Sequence, residues 1–423
     1  MASTRQPVLY DNLLGGLETS LPAHLLQPSQ WRTLHNMRHD PGLVQVEKKR
    51  VYAAFDTTTV LWIGSIPNPN AQGYGKVLFL TTNGLYTIIG DALKTGLVTD
   101  SNYRRWSIFL YNGSLYYINE LNPLRRNDGS SDVALANAPS GRYATLWYDH
   151  VVVGFPTYKN SVYPNRVMWS DLYNFGVWEP DNTNEADHYD FVEWQNTDFP
   201  FCGVTGQGKL GSTLWIYTPT ALIPMVYVGK PKVIQVVESN IITGIGNTFP
   251  WSLAVMNNVH FFFDGIRKTF FAFDGQTPEP IGEPVRQYMV DNLNPDPALA
   301  SRMWASVDFQ RGEVIWRFVS RDSDGPFDKL VRFSFWYKRW STGSDENVHA
   351  FCGPTFRVKT MGELTGTMGG LTGTMGMLGT DGTEIPRLYG TIGGDGTPIG
   401  VVPVLGEGQE GVGEGGSGFG EPP

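Results

Sequence analysis

Short apolar runs joined by turn residues dominate the chain and predict β-hairpins. Residues 76–89 (KVLFLTTNGLYTII) contain two such runs, and Asn83-Gly84 between them favours a two-residue hairpin turn. Clear copies of this unit recur at residues 106–118 around Asn112-Gly113, 251–263 around Asn257-Asn258, and 304–318 around Arg311-Gly312. Looser copies lie at residues 143–155 and 209–217. The chain is therefore predicted to be built from repeated hairpins.

The repetition is irregular in spacing, because loops of different length separate the hairpins. Repeated small antiparallel sheets are typical of a propeller, whose blades bury both faces against their neighbours. Residues 260–263 (HFFF), apolar on both sides of a strand, fit such burial. We therefore predict an all-β fold, a β-propeller of about six to seven irregular antiparallel blades with few short helices and extended terminal arms. A β-sandwich is the structural alternative, although it favours cleaner alternation of apolar and polar residues.

Helical patterns are few and short. Residues 283–293 (EPVRQYMVDNL) place Pro284 in a first helical turn and repeat apolar residues at helical spacing. Residues 297–304 continue that pattern after a break. A further short helix is predicted over residues 27–38, with Trp31, Leu34 and His35 on one face. These segments are expected to be insertions between strands.

Changes in composition divide the chain into four predicted parts. Residues 1–48 form an N-terminal arm and strap, and residues 49–355 form the propeller. Residues 356–404 contain the seven-residue repeat TMGELTG, TMGGLTG, TMGMLGT, followed by a closing hairpin, and residues 405–423 form a Gly/Glu-rich tail. The glycine content of the repeat excludes a coiled coil. Its regularly spaced Met and Leu side chains would become ordered only by lying on another surface.

Composition narrows the function classes. The net charge of −9 argues against a nucleic-acid reader that holds phosphates with a basic patch. Two cysteines are too few for a disulfide framework or a zinc cluster. No apolar run approaches the roughly 18 residues that span a bilayer. The first residues lack the pattern of a secretory signal peptide. We expect a soluble protein without a membrane segment.

Candidate chemistry in the sequence is weak. Residues 203–209 (GVTGQGK) fit the start of a phosphate-binding loop, but Leu210 replaces the hydroxyl residue that the motif requires, and a strand pattern follows. His35 and His39 have metal-ligand spacing, but a Pro-Gly pair ends any helix there. The acidic stretch 179–193 could hold a hard cation but lacks the ligand alternation of a calcium loop and is better interpreted as a solvated loop. We therefore expect no cofactor, no metal and no catalytic residue.

Five sequence blocks, in order, resemble a known family. They are GGLETSLPAHLLQPSQWRTLHNMR (15–38), NRVMWSDLYNFGVWEP (165–180), LIPMVYVGKP (222–231), FFAFDGQTPEPIGEPVR (270–286) and FSFWYKRWST (333–342). Together they resemble the tail nozzle or hub proteins, also called tail tubular or stabilisation proteins, of short-tailed, podovirus-like bacteriophages. The Met-containing repeat is similar to that family's Leu-Thr-Gly-Thr-Trp repeats. The chain lacks the extra platform domains of larger members, which leaves a spike-binding or fibre-binding role unsupported.

The resemblance implies a structural ring, not an enzyme. It implies six copies below the portal and adaptor, forming part of a DNA-ejection conduit, in a virion tail synthesised in the host cytoplasm. The expected partners are other copies of the chain, the head-to-tail adaptor, possible fibres or spikes, and DNA in transient, sequence-independent passage. A closed ring requires heterologous interfaces. We expect interface roles for Trp31, Leu34, Trp169, Asp171, Met361, Met368 and Met375, with blade core as the equal alternative for Trp169.

Two other functions stay open. One is a carbohydrate-binding or receptor-binding propeller of the virion that uses exposed aromatics such as Trp178 and Trp194. The other is a glycan-cleaving propeller, because carboxylate pairs for glycoside hydrolysis meet only in three dimensions. A ring in particles, glycan binding by the monomer, or turnover lost with one carboxylate would separate the three.

Overall fold

The computed structural model describes, with side chains, residues 16–27, 29–33, 106–112, 114–128, 131–191, 203–309, 311–323 and 327–344. It also gives the backbone of the strands within residues 37–95, 345–352 and 388–405. The first of these backbone strands are β1 Met37–Asp40, β2 Leu43–Val46, β3 Lys48–Lys49, β4 Ala53–Phe55, β5 Val60–Ile66, β6 Lys76–Thr81, β7 Gly84–Thr87 and β8 Ala92–Thr95. β1 and β2 form a hairpin, and β5 to β8 form a four-stranded antiparallel sheet. The hairpin predicted over residues 76–89 is confirmed, because β6 and β7 pair antiparallel with Leu80 opposite Leu85, while residues 82–83 between the two strands lie outside the described residues.

Five successive antiparallel sheets, named blades A to E, follow along the chain. Blade A contains β9 Ser107–Tyr111, β10 Ser114–Ile118, β11 Arg125–Asn127 and β12 Asp132–Ala134. Blade B contains β13 Ser140–Trp147, β14 His150–Tyr158, β15 Ser161–Val162, β16 Arg166–Trp169 and β17 Asp187–Asp190. Blade C contains β18 Gly206–Leu210, β19 Thr213–Tyr217, β20 Ala221–Tyr227, β21 Ile234–Val236 and β22 Ile242–Thr243.

Blade D contains β23 Ala254–Met256, β24 Val259–Asp264, β25 Thr269–Phe273 and β26 Glu279–Pro280. Blade E contains β27 Trp304–Asp308, β28 Glu313–Phe318, β29 Phe327–Ser334 and β30 Arg339–Cys352. The sheet of blade E then continues through β31 Leu388–Gly394 and β32 Thr397–Leu405 to β3 and β4, giving eight strands. The first strands of neighbouring blades contact one another: β9 with β13, β13 with β18, and β23 with β27. Innermost first strands and successive outward pairing are the arrangement of a β-propeller.

Alternation along the central strands explains the core. In β24, Phe261 and Phe263 pack in one cluster with blade E, whereas Phe262 packs with Trp215 and Tyr217 of blade C. Successive side chains of a strand point to opposite faces, so an all-apolar strand buries both faces between two neighbouring blades. The central strands β14, β19 and β28 show the same division between clusters. The all-β propeller with few helices is confirmed.

The predicted blade number is wrong for the described part of the chain, where five blades are present instead of six to seven. Hairpins recognised in the sequence need not each begin a new blade. The closing hairpin, β31 and β32, instead extends the sheet of blade E. The sheet β5–β8 is not counted as a blade, because the packing of its side chains lies outside the described residues.

The predicted helix near residue 283 is confirmed as α1 Glu283–Asn292, with Pro284 in its first turn. The continuation is the single turn α2 Pro297–Ala300, whose first amides are capped by Asp296. The helix predicted over residues 27–38 is wrong where the structure describes it. Trp31 lies in a parallel bridge with Leu17, and β1 begins at Met37. Backbone pairing at Trp31 and from Met37 onward thus overrides the weak helical pattern.

Candidate functional site

One end of the blades carries most of the exposed aromatic side chains. Successive strands run antiparallel, so the turn after the first strand and the connection after the third strand of each blade lie at the same end; we name this end the hairpin face. Five aromatic residues in the fully described stretches are largely exposed: Tyr148, Tyr173, Tyr189, Phe309 and Trp336. All except Tyr189 lie in connections of the hairpin face. Scattered exposed apolar residues are normal, but their concentration on one surface indicates a binding surface.

Blades A, B and C bring four tyrosines together there, a group that we name the tyrosine cluster (Tyr111, Tyr148, Tyr173, Tyr227). The rings of Tyr148 and Tyr227 stack with centroids 5.0 Å apart, across the boundary between blades B and C. Tyr111 ends β9 and packs on Phe175, 5.1 Å away, in the long connection of blade B. Tyr173, in the same connection, is 65% exposed. Parts of three blades therefore form one aromatic surface.

Backbone conformation fixes the tyrosine positions. Tyr148, Asp149 and Tyr173 have φ values of 46°, 56° and 59°, in the left-handed region that non-glycine residues seldom adopt. Positive φ at Tyr148 and Asp149 suits the two-residue turn between β13 and β14. The amide of Tyr173 donates to the carbonyl of Asp149 at 3.1 Å, which ties the long connection to that turn. Surrounding structure thus holds three residues in conformations that each carry a small energetic cost.

A polar pair lies beside the aromatic rings. The Tyr227 hydroxyl donates to Glu185 Oε2 at 3.2 Å, and the same carboxylate oxygen is 3.4 Å from Nε2 of the fully buried His150. His150 Nδ1 lies 2.7 Å from the Ser170 carbonyl, and because a carbonyl only accepts, Nδ1 carries the proton. Burial and then the Glu185 charge raise the pKa of Tyr227. Burial and the Asp149 carboxylate likewise raise the pKa of Tyr111.

Two predicted interface residues organise the long connection of blade B. Trp169 is only 2% exposed and donates from Nε1 to the Glu185 carbonyl at 2.9 Å. Asp171 Oδ1 accepts from the Glu185 amide at 2.8 Å. Both residues therefore fix the backbone of Glu185, whose carboxylate accepts from Tyr227 of the tyrosine cluster. Trp169 lies within the blade core, the alternative that the sequence left open, and an interface role of either residue stays a prediction.

Trp31 belongs to the N-terminal strap, defined as residues 16–27 and 29–33. Its indole is half-buried against the core of blades D and E, and its backbone pairs with Gly16 and Glu18. The strap is fixed at Leu17, whose amide donates to the Trp340 carbonyl at 3.1 Å, and at Thr19, whose amide donates to the Pro284 carbonyl at 2.7 Å. Trp31 thus anchors the strap to its own propeller, and contact with another copy stays a prediction.

Of the remaining predicted residues, the structure describes only Trp178. Leu34, Met361, Met368, Met375 and Trp194 lie outside the residues that the structure describes. Trp178 was predicted to be exposed, which is wrong: it is 2% exposed, and its Nε1 donates to the Phe175 carbonyl at 2.8 Å. A tryptophan beside a turn can fold back under it, which the sequence does not reveal.

In the described part of the acidic stretch, carboxylates bind side chains of the same chain. Asp190 makes a two-bond ion pair with Arg166, which lowers the pKa of that carboxyl. Hydrogen bonds from Lys159 and Tyr158 lower the pKa of Glu179. Across the described residues, no group of three or more His, Cys, Asp or Glu side chains is placed to hold a metal ion. Glu193 lies outside the described residues.

Two further findings concern the sequence motifs and the membrane. The phosphate-loop fragment lies mostly on β18 and is followed by β19, so the helix whose amino end a phosphate site requires is replaced by a strand. Among the described residues, no helix has the length and apolar character needed to cross a bilayer.

No protein-family model and no curated protein matches the sequence. Among solved structures, the AfRom2 CNH domain is similar at 9% identity and a TM-score of 0.44, over 85% of this chain and 100% of that chain. YCF48 from Cyanidioschyzon merolae is similar at 9% identity and a TM-score of 0.39, over 85% and 98% of the chains. PorZ from Porphyromonas gingivalis is similar at 9% identity and a TM-score of 0.40, over 72% of this chain and 35% of PorZ. The fold assignment therefore rests on the strand order and packing described above.

Proposed function

We propose that the chain is a non-catalytic structural component of a short-tailed phage tail, a nozzle or hub ring that forms part of the DNA-ejection conduit. In this proposal the partners are further copies of the chain, six in a ring, and the head-to-tail adaptor. DNA passes without sequence-specific contacts, and fibres or spikes are a further class of partner to be tested. The chain acts in the virion tail after synthesis in the host bacterial cytoplasm.

The observation that carries the proposal is the exposed aromatic pair of blade E on the hairpin face. Trp336 and Phe309 are 51% and 54% exposed. The Phe335 amide donates to the Gly312 carbonyl at 2.7 Å, which joins the two turns of that blade. Aromatic residues held on fixed turns are typical of the centres of protein interfaces. A protein that works as a member of a ring needs such a surface.

The positions of the family-like blocks support the same proposal. The strap block, the block that ends in α1 and the block around Trp340 meet at one place, where Leu17 binds the Trp340 carbonyl and Thr19 binds the Pro284 carbonyl. Three blocks also supply aromatic residues of the hairpin face: Tyr173, Tyr227 and Trp336. Three blocks recognised from sequence alone thus meet at the strap, and three contribute aromatic residues to one end of the blades.

Assembly can be tested on the purified chain and on particles. We expect the wild-type chain to form a closed ring by sedimentation and electron microscopy, and F309S/W336S to shift it to monomer, with at least a tenfold weaker association. The matched control is Ile266→Ser, an exposed apolar residue in a turn at the opposite end of blade D. A wild-type chain that stays monomeric and is missing from the tail of purified particles would contradict the proposal.

A further inference from the structure

The tyrosine cluster presents exposed aromatic rings beside two carboxylates, a combination that the ring test on Phe309 and Trp336 of blade E does not probe. We propose that it binds an uncharged saccharide, with the rings as a platform and Asp149 and Glu185 as hydrogen-bond acceptors. This inference is independent of the proposed ring function. It rests on the rings, the carboxylates and the rigidity of the connections that carry them.

The rings form an amphipathic platform. Tyr148 is 45% exposed while its other side is supported, because its ring stacks on Tyr227 and meets Trp147 edge-on at 5.3 Å. Tyr173, the most exposed ring of the cluster, stands beside it on the connection tied to Asp149. Pyranose rings present a face of C–H bonds that packs on an aromatic ring, while their hydroxyls point outward. Tyrosine suits such a ligand because it combines an apolar ring with a polar tip.

The carboxylates select among ligands of this shape. Glu185 already accepts from Tyr227 and faces His150, so its position is fixed before any ligand arrives. Asp149 is placed beside Tyr111, the other flank of the cluster. A carboxylate accepts hydrogen bonds from sugar hydroxyls but repels uronates, sialic acids and phosphates. The charge therefore favours neutral saccharides. A purely apolar partner surface would remove water from both carboxylates and leave part of their hydrogen-bonding capacity unused, which is costly.

The backbone segments that carry the tyrosines are fixed before a ligand binds, so weak contacts with the ligand can still contribute to affinity. The left-handed residues Tyr148, Asp149 and Tyr173 are held by backbone hydrogen bonds within blade B. Tyr227 is the last residue of the regular strand β20. A ligand that binds a surface already in place loses less free energy to the ordering of side chains. The stack of Tyr148 on Tyr227 also makes the site depend on the junction of blades B and C.

Binding can be tested on the full-length chain. We would screen it on an array of neutral and acidic oligosaccharides, and titrate the strongest neutral tetrasaccharide by saturation-transfer NMR. We expect Y148A and Y173A each to weaken binding at least tenfold, and Glu185→Gln to weaken it while the melting temperature stays near wild type. The matched control is Tyr189→Ala, an exposed tyrosine on the edge strand β17, outside the hairpin face.

Each possible binding result either supports or overturns the proposed site. Binding of neutral saccharides that Y148A and Y173A lose and Tyr189→Ala keeps would support the site. Absence of neutral saccharide binding, equal binding by all variants, or preference for acidic saccharides would overturn it. Circular dichroism and melting of each variant separate loss of the site from loss of the fold. Ring formation is read separately by electron microscopy, so failure of this inference leaves the ring proposal standing.

Discussion

His260 lies at the junction of blades C and D, where acidification should weaken the fold. Its fully buried ring bridges two strands of blade C: Nδ1 accepts from the Tyr217 hydroxyl at 2.6 Å, and Nε2 donates to the Lys209 carbonyl at 3.1 Å. Both ring nitrogens are thus engaged by the neutral imidazole. Burial lowers the pKa of His260 to about 4. Burial also raises the pKa of Tyr217, so the phenol does not ionise to offset a charged imidazole.

The sign and size of the pH effect follow from these values. In the unfolded chain His260 titrates near the ordinary histidine pKa of 6.5, whereas in the folded chain its pKa is about 4. Between these values protons bind the unfolded state preferentially, so the stability present above pH 6.5 is lost as the pH falls. Each pKa unit is worth about 1.4 kcal/mol, so the loss reaches about 2 kcal/mol at pH 5 and about 3 kcal/mol below pH 4.

The measurement is urea unfolding followed by tryptophan fluorescence at several pH values from 7 to 4.5. We expect His260→Gln to lose less stability on acidification than the wild type, by about 2 kcal/mol between pH 7 and pH 5. The glutamine amide can still donate and accept a hydrogen bond, but it does not take up a proton between pH 7 and pH 4.5. His188→Gln, an exposed histidine on β17, is the control and should follow the wild type. Equal pH slopes for wild type and His260→Gln would refute the reasoning.

Two further predictions concern a glycine in close contact with backbone atoms and a hydrogen bond of the strap. Gly246→Ala should destabilise the fold by about 1–3 kcal/mol in urea unfolding, because a Cβ there would overlap backbone atoms of the turn before β20. The control is Gly176→Ala, which should be nearly neutral because a Cβ at that position makes only ordinary contacts. Equal stability of the two variants would count against this account. Thr19→Val should cost about 1 kcal/mol, because the hydroxyl donates to the Pro284 carbonyl at 2.8 Å; an unchanged urea midpoint would contradict it.

The fold could be predicted because its signals are local. Asn112, Asn257 and Asn258 adopt positive φ in the turns that their sequence predicted, and α1 begins beside Pro284 as expected. The blade number could not be predicted, since it depends on which strands pair after the turns are made. Whether a closing hairpin extends an existing sheet or begins a new one depends on long-range contacts that no short pattern records.

The candidate site was harder to predict from sequence. Tyr111, Tyr148, Tyr173 and Tyr227 come from four connections or strand ends on three blades, so no spacing along the chain links them. The one available signal is Asp149, a residue that strands disfavour, beside Tyr148 at the centre of a predicted hairpin. Trp178 was a misleading signal, because exposure was inferred from residue type and a turn location, whereas its indole caps the turn from beneath.

Both ends of the chain contribute to the sheet of blade E, and this has a consequence for how the protein assembles. β3 and β4 pair with β32, while the strap binds Trp340 of β30 and Pro284 of α1. Early and late residues therefore meet on one blade. Contacts so distant in sequence form late in folding, because loop closure must precede them. The same pairing can form between two copies of a chain, which is how domain-swapped assemblies arise. Pairing between such distant strands thus suits a protein proposed to work within a ring.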